Sequence, residues 1–178
     1  GIVAARPRAA SNKGGGISNS AAAVFRVRHT ILAGNTAATD VNCSGLGSIG
    51  NLGFNLQYPG AGCAGLTTGD PKLGPLSHNG NTLPIMALLG GSFAVDEGDP
   101  AGCADSAGAA VQADQCGTAR PQGARCDIGA YEHVHSAITG VSASATTPTR
   151  FGTATIVTAS ISGDDRALYT WSFGDGGV

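Results

Sequence analysis

The chain has 178 residues, with ten Lys and Arg against twelve Asp and Glu, for a formal charge of −2. It carries no basic stripe, so it lacks the electrostatic footprint of a nucleic-acid binder, and no apolar run approaches the ~20 residues that cross a bilayer as a helix. Charged residues supply only 12%, well below the ~25% usual for soluble domains, and 29 glycines join abundant small polar residues, a mixture of short strands and turns.

The start, "GIVAARPRAASNK", has arginines but no apolar h-region, so it is not a signal peptide; an export signal would lie outside this chain. No segment keeps apolar residues at helical spacing between plausible caps. "AAVFRVRHTIL" (22–32) alternates like a strand, with Val24, Arg26, Arg28 and Thr30 against Phe25, Val27, His29 and Ile31, and stops at the turn signal "AGNTA". "GSIGNLGFNL" (47–56) repeats the idea with glycines at its bends. Short strands with Asn and Gly corners predict a β-solenoid, in which each coil buries its apolar face against its neighbours. Only two or three coils fit before residue 57, so the chain is expected to begin partway through a longer solenoid.

From Tyr58 to Glu132 the sequence is loop-rich, cornered by Pro59, Pro71, Pro75, Pro84, Pro100 and Pro121, residues that cannot donate to a sheet ladder. After Glu132 comes a polar, small-residue connector that already includes a first strand. "FGTATIVTASISG" (151–163) and "LYTWSF" (168–173) then read as further strands. The expected division is 1–133 and 134–178. The five cysteines, at 43, 63, 103, 116 and 126, show no zinc spacing. Dispersed in loops, they favour disulfides and an oxidising compartment, and the odd count leaves one over.

Two stretches carry a family resemblance. "DPKLGPLSHNGNTLPIMALLGGSFAVDEGD" (70–99) with "DQCGTARPQGARCDIGAYE" (114–132) resembles the choice-of-anchor Q domain, which closes right-handed parallel β-helices in bacterial surface proteins. Phe93 stands where that pattern has proline, and Cys116 replaces the arginine of D-Q-R-G, removing a fork-shaped donor for a carboxylate. The resemblance implies the pairs Cys43–Cys63 and Cys103–Cys126 with Cys116 free; pairing through Cys116 is the alternative. The tail (152–176) resembles a PKD domain, an immunoglobulin-like β-sandwich, through Trp171 and "FGDG", Phe173 to Gly176. It covers about half such a domain, so the end at Val178 is expected to be a fragment boundary. The implied fold is all-β: the last coils and C-terminal cap of a right-handed parallel β-helix, then part of a sandwich.

"CDIGAYE" (126–132) is the densest chemical stretch. On a strand Asp127 and Glu132 fall on opposite faces, whereas glycosidase chemistry needs two carboxyls converging at about 5–9.5 Å. The expectation is structural: Asp114, Asp127 and Glu132 accept hydrogen bonds from backbone or arginine beside a disulfide, and Asp175 accepts at a turn. No cofactor is expected; Asp96, Asp99 and Asp114, with Asp105, are the calcium candidates, without an EF-hand or repeat to support them. "GLGSIG" (45–50) formally matches a dinucleotide fingerprint but is followed by a strand pattern instead of a helix. His133 and His135 lack a third metal partner, and no catalytic site is expected. Asn42 in "NCS" matches a glycosylation sequon by pattern only.

The expected function is a non-catalytic extracellular or cell-surface module. Its partners would be polysaccharide or surface proteins, or further copies of the chain recruited through open β edges. The alternative is a fragment of a polysaccharide-active β-helix enzyme, a lyase or glycosidase, whose catalytic coils lie upstream.

Overall fold

The stretch read as one strand over 22–32 divides at a corner, and so does its counterpart at 47–56. The computed structural model describes residues 3–4, 14–19, 24–39, 41–45, 48–60, 62–79, 83–146, 152, 154–163 and 170. Among them every regular element is a β-strand, and the chain divides into two units, Gly1–Val134 and His135–Val178.

In the first unit the strands recur in order. β1 (Val3–Ala4) is followed by β2 (Ile17–Ser18), β3 (Phe25–Val27) and β4 (Ile31–Ala33), then by β5 (Cys43–Ser44), β6 (Ile49–Asn51) and β7 (Leu56–Tyr58). Each strand pairs in parallel with its successor one circuit on: Ile17 opposite Cys43, Phe25 opposite Ile49, Ile31 opposite Leu56. β1 adds in parallel outside β4, and β8 (Thr67–Thr68) outside β7.

The corner at Arg28–Thr30 overrides the period-two pattern because His29 takes a positive φ of 47°, matched one circuit later by Gly53 (φ 97°) and Phe54 (φ 55°). The rings of His29 and Phe54 then meet, centroids 5.4 Å apart. Asn55 bridges the two sides of the bend. Its Oδ1 accepts the Thr30 N–H (2.9 Å), and its Nδ2 donates to the Val27 carbonyl (2.9 Å).

β4 is buried on both faces. Leu32 joins Val27, Cys43, Cys63 and Leu66 in one apolar cluster, while Ile31 and Ala33 join Leu56, Leu88, Ala94, Val95 and Ile128 in another. The first is enclosed by the circuiting strands; the second lies between the β4–β7 face and the proline-cornered segment. That segment therefore covers a flank of the strand stack, and "ILA" reads as the continuous apolar run of a strand covered on both sides. Burying a side chain such as Leu56 contributes ~1.5–3 kcal/mol.

The cover begins with an antiparallel pair, β9 (Leu73–Ser77) and β10 (Ile85–Leu88), with Pro75 tolerated because β9 is an edge. From Leu89 to Glu132 it has only two isolated bridges, Ala104 with Ala110 and Ala113 with Ala119, outside named strands. In the second unit β11 (Gly140–Ala145) and β12 (Val157–Ser162) pair antiparallel, Gly140 opposite Ser162 through to Ala145 opposite Val157. Trp171, Phe173 and Asp175 lie outside the described residues.

Candidate functional site

Residues 126–132 are not a strand. The chain bends at Ile128–Ala130, with Gly129 at a φ of 107° that a side chain rarely adopts, and the turn is anchored both within the cover and to the stack. The Ile128 N–H donates to the Ala94 carbonyl (2.8 Å) and the Gly129 N–H to the His29 carbonyl (3.1 Å). The bend places both carboxylates inside: Asp127 and Glu132 are each 1% exposed.

Their oxygens are taken up by backbone donors. Asp127 accepts the Asp96 N–H (2.8 Å) on one oxygen and the His133 N–H on the other. Glu132 accepts the Gln122 N–H (2.9 Å) and the Asp127 N–H (3.1 Å). Asp114 takes three: Cys116 (2.7 Å) and Thr118 (2.8 Å) on one oxygen, Glu132 (2.8 Å) on the other. Each acid therefore ties together backbone segments that no ladder joins, which satisfies donors that would cost ~1–3 kcal/mol each if buried unpaired.

Arg120 completes the lock. Its Nη1 donates to the Asp127 carbonyl (3.0 Å) and its Nη2 to the Gly129 carbonyl (2.9 Å). Its Nε stands 3.5 Å from Glu132 Oε2, within ion-pair reach but without the alignment of a hydrogen bond. Burial raises the carboxyls of Asp127 and Glu132 above their ordinary values, and the backbone N–H groups on each act in the opposite direction.

A histidine joins cover to stack. His29 Nδ1 lies 3.2 Å from the Ala104 carbonyl, and Nε2 accepts the Asp99 N–H at 3.1 Å, which fixes the neutral tautomer with its proton on Nδ1. Burial and the neighbouring Arg28 both lower its pKa. Arg28 itself pairs with Asp99 through Nη2 and Oδ2.

The calcium candidates are dispersed among these bonds. Asp99 holds Arg28 and the Ala101 N–H, Asp96 accepts from Arg125, and Asp105 accepts from Ala107 and Ala109. Among the described residues no three His, Cys, Asp or Glu gather where a metal ion would be held. Cys43 bonds Cys63, Cys103 bonds Cys126, and Cys116 is a free, half-buried thiol. Asn42 is completely buried, its Nδ2 donating to the Pro59 carbonyl, so the sequon is closed to a glycan in this fold. Gly50 of the nominal dinucleotide fingerprint lies within β6. His133 Nδ1 lies 3.3 Å from the Leu88 carbonyl, and no helix among the described residues is long and apolar enough to cross a membrane.

Sequence reasoning gave no role to Arg120, His29 or Asn55. The "RP" at 120–121 was part of the motif but carried no assignment, and His29 read as one more member of an alternating strand. Comparison with family models, curated proteins and solved structures returns no match to this chain.

Proposed function

We propose that this chain is a non-catalytic structural and binding module of a bacterial protein that works outside the cell or on its surface. In this reading the paired strands are late coils of a right-handed parallel β-helix, residues 70–132 are a cover of the choice-of-anchor Q type, and the tail begins a PKD-like sandwich. Two disulfides favour an oxidising compartment. The observation that carries the reading is the fate of the acids. Asp114, Asp127 and Glu132 have every carboxylate oxygen engaged by a backbone N–H, and Asp127 and Glu132 are closed off from solvent, so these acids are committed to holding backbone in place. Partners are polysaccharide or surface proteins, with further copies of the chain a third class that concentration-dependent size-exclusion chromatography detects.

The test is a glycan-binding and degradation screen on the intact protein. Binding without release of sugar products is expected. Product release that disappears in a folded Asp114→Asn or Asp127→Asn variant would overturn the reading in favour of a polysaccharide-active enzyme.

A further inference from the structure

Between β3 and the cover lies a half-open recess of about 280 Å³. We infer that it binds one carboxylate-bearing sugar residue of an acidic glycan. This names a ligand for the surface module proposed above and rests on that reading. Ligand sites of ~300–1,000 Å³ hold drug-sized molecules, so this one has room for about a single ring.

Three features of the lining select the chemistry. The first is positive charge with one member unengaged. Arg28 is committed to Asp99 and Arg120 to Glu132, whereas Arg26 makes no ion pair or hydrogen bond among the described residues. Its place is prepared by its parallel partner Gly50: a Cβ there would come within 3.1 Å of Arg26 Cγ, so the missing side chain gives the arginine stem room. The buried Nε–H of Arg28 also lacks a hydrogen-bond partner, and Arg28 lines the recess. A guanidinium fork matches a carboxylate bidentately.

The second feature is acceptors beside the arginines. Asp105 lines the same recess and spends one oxygen on the Ala107 and Ala109 N–H groups, which leaves the other for an incoming hydroxyl. Asp105 offsets the attraction of Arg26 for a bare anion, whereas a sugar acid brings hydroxyl donors as well as its charge. The third is Val111, half-buried in the lining on the cover's side, an apolar surface for the C–H side of a sugar ring.

Titration of the full chain with galacturonate and glucuronate oligosaccharides, beside their neutral hexose counterparts, tests this by calorimetry with amide shifts as the map. The acidic oligosaccharides are expected to bind, shifting Arg26, Ala104 and Gln115. Arg26→Gln should weaken them roughly tenfold or more, the effect of losing one charge-assisted contact, with the melting temperature unchanged. Arg26→Lys, which keeps charge without the fork, should fall between. Binding that ignores both variants overturns the inference, and so does equal affinity for neutral sugars, free acetate or an acidic peptide. The two claims fail separately. Absence of uronate binding, with another glycan retained, removes this ligand and spares the surface module. Cleavage of a bound uronate chain removes the non-catalytic reading and spares the site.

Discussion

The strand stack and its cover, both within the first unit, are held by different means. In the stack, backbone meets backbone along parallel ladders that repeat circuit after circuit, and amide side chains such as Asn55 and Gln57 step in where corners break them. In the cover from Leu89 to Glu132 the ladder is reduced to isolated bridges, and Asp114, Asp127, Glu132 and Arg120 take its place. A chain that leaves regular structure still has to satisfy its buried N–H and C=O groups. Here short acids and one arginine do so at chosen points. The difference predicts that core truncation damages both regions, whereas loss of an acid opens the cover alone.

The largest effect is expected at the face the two regions share. Leu56→Ala should lower stability by about 2–5 kcal/mol, read as a lower denaturation midpoint, because it leaves a cavity between β7 and the cover. Next comes Asp127→Ala, which strands the Asp96 and His133 N–H groups and should cost about 1–3 kcal/mol for each that stays buried. Its signature in amide exchange is faster opening of the cover with protection in β4 and β7 retained. Equal loss in both regions would mean that the cover is not a separate cooperative layer.

A pH series sharpens the same contrast through His29. Its folded pKa is lowered, so its contribution is complete above the ordinary histidine value of ~6.5 and is lost as pH falls through the folded pKa. Asp127 and Glu132 act oppositely. Their folded pKa values are raised, so their contributions are complete below the unfolded values and lost as pH rises through the folded ones. Comparing melting temperatures of wild type and His29→Gln from pH 7.5 to 5.5 isolates the histidine. The wild type should lose stability more steeply on acidification, and parallel curves would remove His29 from the account. The smallest effect belongs to Cys116→Ser, expected within about ±0.5 kcal/mol, since that thiol bonds no other cysteine. A drop of several kcal/mol would reveal a constraint on residue 116 that the fold does not display.

Much of this was legible in the chain. Strand-length alternation, Asn and Gly corners and the absence of helical periodicity point to all-β structure, and "CDIGAYE" reads as hydrogen-bonding acids because it lacks the surroundings of a catalytic pair. The corner at His29 was hidden because a positive φ at a non-glycine residue has no signature inside an alternating run. Burial of β4 on both sides was hidden for another reason: three apolar residues in a row do not say what covers the second face. The opposite-face argument for Asp127 and Glu132 assumed extended backbone. Gly129 bends the chain instead, so the Glu132 carboxylate reaches the Asp127 N–H. Arg120 escaped assignment because its partners are carbonyls, which every residue carries.

The most direct test of the acids as structural acceptors is residue-resolved amide exchange in Glu132→Gln against wild type. A glutamine in that place turns an NH₂ group toward the Gln122 or the Asp127 N–H, so protection at one or both should fall while β4 and β7 keep theirs. Unchanged protection at both amides would contradict the account, since the carboxylate would then be idle in the fold and free for chemistry.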